Sequence, residues 1–298
     1  MLGQKIRSSW SKKDQSKRIK VPERLNKKLA YFSGIFLGDG YLQNKNNNYI
    51  MTLSGHAIDE LSWYNEIIVP LIYELFNITP HMRKCSKDGG KSQWIELYLY
   101  SKGIVTFLHE ELDFPYGQKT NIRIPAIIKN SNMEIKKEFL RGLADTEFSL
   151  TFKKRHKKIN YYPVIEYSTP NTPLTKDVIS LLRDFGFPSI CSYNIHSRRA
   201  DKVHLKNQLD INGKNMLEKW MKEIGFYSPK HLTKYKVWKK YGYCPPYTNL
   251  QQRKEILKSP GTAGHQEARA GEADISLGSF YGDLCATVIF CFNFDLGT

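Results

Sequence analysis

A chain of 298 residues exceeds the usual single-domain size and can bury a full core, so two domains or one duplicated domain is the starting expectation. Its 45 Lys and Arg against 29 Asp and Glu give a net charge of +16, which points to a polyanionic partner. Five scattered cysteines without a C-x-x-C pair argue against a disulfide framework and a structural zinc. The sequence has no apolar run of roughly 18 residues and no signal-type apolar segment near its start, so no membrane role is expected. The expected setting is intracellular and reducing, cytoplasmic in a prokaryote or organellar otherwise.

Residues 1–25 read as a flexible basic arm, with seven Lys or Arg in the first 20 against Asp14 alone, ending near Val21-Pro22. Residues 26–118 read as one structural unit. LNKKLAYFSGIFLGDGYLQ predicts a helix from Leu29 to about Gly38, closed by a Gly-Asp-Gly turn. Alternation predicts strands at Tyr41–Gln43, Tyr49–Ser54, Met82–Cys85 and Trp94–Tyr100, with helices at Ile58–Phe76 and Ile104–Leu112. The order is αββαββα.

A polar link, residues 119–137 with Pro125, leads to residues 138–228, where the same order returns. KEFLRGLADTEFSLTF repeats the first helix, and later segments pair Phe185 with Phe76 and Phe226 with Phe114. A spacing of about 110 residues is too long for a solenoid repeat and fits a duplicated domain. Residues 229–258 are a basic C-terminal extension containing HLTKYKVWKKYG. Residues 259–298, with one Arg and five acids, form a Gly- and Ala-rich tail of net −4 that is expected to be disordered and dispensable, which leaves +20 on the rest.

In the two repeated helices small residues recur four apart, Gly34 with Gly38 and Gly142 with Thr146, which lets two backbones approach closely. Asp39 and Glu147 follow those faces directly. If the halves are related by a two-fold axis, the carboxylates meet beside it, and on a basic surface they repel unless a divalent cation sits between them. Oxygen ligands with open water positions suit Mg²⁺, with Mn²⁺ as a substitute, and this is an apparatus for phosphodiester hydrolysis.

FSGIFLGDG and LRGLADTEF resemble the two copies of the motif that names the LAGLIDADG homing endonucleases, and the resemblance covers about residues 26–228. It implies an α+β fold of two pseudo-two-fold-related αββαββα halves with antiparallel saddle-shaped sheets. It also implies a monomer that cuts a long, asymmetric double-stranded DNA site with Mg²⁺, commonly intron-encoded, using Asp39 and Glu147 as catalytic metal ligands. Asp145 falls two positions earlier and is read as structural. Many members place a Lys or Gln after the motif, whereas MTLSGH and EYSTPN offer neither. Lys102 and Lys214, at strand ends in both halves, are the candidates for that catalytic charge.

Alternation puts Lys202, His204, Lys206 and Gln208 on one strand face, opposite Val203, Leu205, Leu209 and Ile211. It likewise sets Ile95, Leu97 and Leu99 against Trp94, Glu96, Tyr98 and Tyr100. Further candidate DNA contacts are Arg83, Lys84, Lys153, Lys154, Arg155, Lys157, Arg198 and Arg199. A rival reading keeps the fold as an RNA maturase, with intron RNA as partner, or as a cleavage-defective DNA-binding protein. The sequence shows no helix-turn-helix pair, no initial Cys or Ser with terminal His-Asn of an intein, and no paired His and Cys of an HNH or zinc-finger site.

Overall fold

The computed structural model describes residue 2 and residues 10–90, 92–199 and 202–259. The expectations for the tail beyond Ser259 lie outside these residues. Asn26 opens the first long helix, its side-chain oxygen accepting from Leu29 N at 2.9 Å. This helix, α2 (Lys27–Asp39), is buried from Leu29 to Leu37. It does not end in a turn. Gly40 is already extended (φ −80°, ψ 152°) and begins β1 (Gly40–Lys45), so helix passes to strand without a loop.

The first half continues through β2 (Asn48–His56), a helix in three parts, β3 (His81–Lys87), β4 (Ser92–Tyr100) and α5 (Lys102–Glu110). The three-part helix comprises α3 (Leu61–Trp63), a π-turn (Tyr64–Ile68) and α4 (Val69–Phe76). It starts later than Ile58, which is exposed in the preceding turn. The widened turn comes just before Pro70, which has no N–H to give an α-type bond.

After α6 (Ala126–Lys129) the second half runs α7 (Met133–Glu147), β5 (Phe148–Lys153), β6 (Tyr162–Thr169), α8 (Thr172–Asp184), β7 (Ile190–Arg199), β8 (Lys202–Asn212) and α9 (Lys214–Glu223). Each half is a four-stranded antiparallel sheet, ordered β1-β2-β4-β3 and β5-β6-β8-β7. The αββαββα order thus occurs twice, as the sequence pattern predicts. Ile95, Leu97 and Leu99 face the core, as do Leu209 and Ile211. Leu205 does not: it is exposed, on the far side of an irregularity between Ser192 and Ile195 where the β7–β8 hairpin leaves its regular pairing.

Residues 10–20 correct the flexible-arm expectation. They carry α1 (Lys12–Ser16), closed by a reciprocal cap between Ser11 and Asp14. Asp14 is buried and also accepts from Gly103 N at 3.1 Å, while Ile19 is buried and Lys20 N donates to Phe76 O. Residues 10–20 are therefore packed on α4 and α5. At the other end, α10 (Pro229–Tyr241) and α11 (Leu250–Lys258) form the C-terminal extension.

Candidate active site

Helices α2 and α7 lie side by side in the same direction. Lys27 meets Glu134 at their N-terminal ends (2.8 Å), and Gly38 meets Thr146 at their C-terminal ends. A methyl on Gly34 would collide with the Phe139 carbonyl and lie 2.6 Å from Leu143 N, and one on Gly142 would collide with the Tyr31 carbonyl. These are backbone atoms of the opposite helix, so the main chains touch. At Gly38 the atoms met are the Thr146 side chain and Glu147 Cγ, the latter 3.0 Å from an added Cβ. The side chain of Glu147 thus stands against the residue before Asp39. The four small residues are at the interface, and the two motif acids arrive together.

Both acids are half-buried. Burial, then the charges of Glu60 and Glu147, hold the Asp39 carboxyl well above the usual carboxylate range. Burial also raises Glu147, opposed by Lys119 and Lys230. Two oxygen-donor acids that resist ionising beside each other fit a divalent cation, which would relieve both burial and like charge. Among the described residues no group of three or more His, Cys, Asp or Glu surrounds a common point. Asp39 and Glu147 are the two acids brought together here that could hold a divalent cation.

The positive charge at the site does not come from Lys102 and Lys214. These open α5 and α9, after the ends of β4 and β8 that pair away from Gly40 and Phe148. Lys102 lies over the Tyr49 ring at 5.7 Å instead. The lysines whose charge reaches both acids are Lys119 and Lys230. Lys119 donates to Phe36 O (2.9 Å), Leu37 O (2.7 Å) and Gly38 O (2.7 Å), the last carbonyls of α2, of which Phe36 O also accepts from Gly40 N. Burial lowers its pKa to about 8, against the pull of Glu147 and Asp39. Lys230, second residue of α10, donates to Glu60 at 2.6 Å. A sequence signal for this pair exists: Lys119 stands five residues after Phe114 and Lys230 four after Phe226, the two phenylalanines that the repeat aligns.

Asp145 is fully buried and structural. It accepts from Tyr31 O–H across the helix pair (2.7 Å) and from the backbone N–H groups of Tyr227 and Ser228, which lead into α10. Burial still raises its pKa to about 6, with those bonds opposing. It ties the extension to the helix interface.

The sheet faces not covered by helices carry part of the expected basic set. Arg83 is on that face of the first sheet, bound to Glu96 (2.5 Å) and set over Tyr98 (5.3 Å), whereas Lys84 points to the opposite side. On the second sheet Lys153 pairs with Glu166 (2.7 Å), and Lys206 and His204 share its face with Gln208 and Asp210. Lys154, Arg155 and Lys157 lie in the exposed β5–β6 loop, with Arg155 over Tyr162 and Lys157 over Tyr161. Arg198, Arg199 and Lys202 are in the β7–β8 hairpin, but their side chains lie outside the described residues. Gln43, Lys45 and His81, on the same face of the first sheet, were not singled out by the sequence, because short edge strands show too few residues for alternation to be read.

A family model for a LAGLIDADG-like domain matches residues 134–225, which span α7 to α9. The second half is a LAGLIDADG-like domain. The first half repeats its element order and its terminal acid. Among curated proteins, the chain is similar to a glutamine–fructose-6-phosphate aminotransferase of Methanocaldococcus jannaschii, 23% identical over 70% of this chain and 17% of that protein. It is also similar to a tRNA-splicing ligase RtcB of Methanopyrus kandleri (24%, over 82% and 24%) and a probable translation initiation factor IF-2 of M. jannaschii (25%, over 72% and 17%). The matched region spans less than a quarter of each of these relatives. Similar solved structures include I-DmoI with DNA and Mn (19% identical, TM-score 0.45, 68% of this chain and 98% of that one). Another is the LAGLIDADG homing endonuclease I-GzeII with its DNA target (12%, TM-score 0.48, 80% and 99%).

Proposed function

We propose that this chain is a metal-dependent endonuclease that binds double-stranded DNA as a monomer and cuts both strands at a long, asymmetric site. The observation that carries the reading is the meeting of Asp39 and Glu147 at the ends of two helices in backbone contact, flanked by Lys119 and Lys230. Two acids and two lysines at one pseudo-symmetric point suit two scissile phosphates, one per strand. Asp39 and Glu147 would hold Mg²⁺ or Mn²⁺, which when bound supplies positive charge for the phosphorane oxygens and polarises water. Lys119 and Lys230 bring fixed cationic charge to the same place, where developing negative charge is stabilised without reorganisation. The uncovered sheet faces, with Arg83, Lys153, His204 and Lys206, supply the DNA-binding surface.

The three curated relatives carry names of unrelated activities, yet each matches 70% to 82% of this chain. A segment shared by an aminotransferase, a ligase and an initiation factor supports an element that inserts into genes, and cutting DNA at the insertion site would serve such an element. We assign those three activities to the relatives and not to this chain.

The test is a plasmid bearing the host junction without the inserted element, incubated with Mg²⁺ or with EDTA. Linear product only with Mg²⁺ is the expected result. Tight binding of the verified junction without a cut in Mg²⁺ would move the assignment to an RNA maturase or a DNA-binding protein that has lost cleavage.

A further inference from the structure

The turn after β2 contributes two buried acids, Asp59 and Glu60, both 5% exposed. Buried carboxylates persist only where hydrogen-bonded or paired. Glu60 accepts from His56 N at 2.7 Å and from Lys230 Nζ at 2.6 Å. Asp59 accepts from Leu250 N at 2.6 Å and lies 3.7 Å from the buried Arg253 guanidinium. Both acids belong to the first half, and all three long-range partners belong to the C-terminal extension of the second. The extension is therefore fastened across the molecule at two points, one of which is a lysine of the candidate active site.

Lys119 is held differently. Its ammonium has three carbonyl partners at the end of α2. A lysine on a flexible four-carbon stem contributes fixed charge only if something fixes it. For Lys119 that is the main chain, and for Lys230 the Glu60 carboxylate is a close partner at 2.6 Å.

We propose that Glu60 is a positioning residue that holds the Lys230 ammonium beside Asp39, so that the two strands are cut by unequal centres and only one of them depends on Glu60. The proposal rests on the endonuclease reading. It is tested with the full chain on a junction duplex labelled on one strand or the other, in single-turnover reactions with Mg²⁺. Glu60→Gln keeps the shape and removes the charge. It should slow one strand at least about tenfold, with the other strand within about twofold and with DNA affinity unchanged. Glu60→Asp keeps the charge on a shorter stem, should give an intermediate loss on the same strand, and carries the test if the Gln variant does not fold.

Asp59→Asn loosens the other fastening and should lower the unfolding midpoint without favouring a strand. Equal slowing of both strands by Glu60→Gln, unchanged rates, or a strand bias in Asp59→Asn as large as in Glu60→Gln would each overturn the proposal. A wild-type chain that cuts neither strand overturns the endonuclease reading and this one with it.

Discussion

The two halves share an element order and differ in almost everything that surrounds it. Helix α2 is buried on nearly every side by apolar residues, whereas α7 buries Arg141, Asp145 and Thr146 among its apolar ones. The first half is covered by residues 10–20, and the second by α10 and α11, which reach back to the first. What stays alike is confined to the axis: small residues where the backbones touch, and an acid at each helix end. Backbone contact and charge placement tolerate no drift there, while the periphery needs only to cover its own core.

The sharpest way to break the comparison is to remove one acid at a time. Asp39→Asn and Glu147→Gln should each lower cleavage at least about a thousandfold, while DNA affinity in EDTA changes little. Wild-type cutting in either variant would show that the duplicated acids are not equivalent working parts. The lysines should separate next. Lys119 is charged below about pH 8, so a rate that needs its charge should fall as the pH is raised through that value. Lys119→Gln should lose about a hundredfold and, with it, this alkaline limb. A limb that persists in the variant belongs to another group.

Glycine substitutions compare two kinds of contact along one interface. Gly142→Ala meets main-chain atoms of Tyr31 that cannot rotate away, and Gly38→Ala meets the side chain of Thr146. Denaturant unfolding should place the cost at Gly142 near 3 kcal/mol, with a smaller one at Gly38. Equal costs would mean that the helices are less closely seated than the atoms of Gly142 and Tyr31 require.

The fold was legible because duplication doubles every signal: Gly34 and Asp39 alone are a glycine-rich helix end, but with Gly142 and Glu147 they define an axis. The acids followed from the same pairing. The lysines did not, because Lys119 and Lys230 sit four or five residues beyond an aligned phenylalanine, in loop and helix, where no periodicity points inward. Lys102 and Lys214 looked equivalent by position in the repeat, but strand pairing carries them to the far end of each sheet. Glu60 was invisible for a different reason, since its partner is 170 residues away.

Asp145 tests how the helix interface is tied to the extension. Its pKa in the folded chain, about 6, lies above that of an exposed Asp, so the folded state binds the proton more tightly than the unfolded one. The stability it contributes is complete at low pH and is lost as pH rises through about 6. The stability of the wild type relative to Asp145→Asn should therefore fall between about pH 4 and pH 6 and level off above. A difference that grows over this range would mean that the Tyr31, Tyr227 and Ser228 bonds outweigh burial, with Asp145 ionised throughout.

The smallest effect expected is at Asp14, where the covering of the two halves differs most plainly. Its carboxylate closes α1 and receives Gly103 N at the start of α5, far from the two acids of the axis in sequence. Asp14→Ala removes a cap and leaves a buried N–H with no partner, a loss of about 1 to 2 kcal/mol in unfolding free energy. Cleavage of both strands should stay at wild-type rates, because α2 keeps its contact with α7. A loss of cutting that exceeds the loss of stability would mean that residues 10–20 do more than cover the first half, and that the halves differ in function as well as in packing.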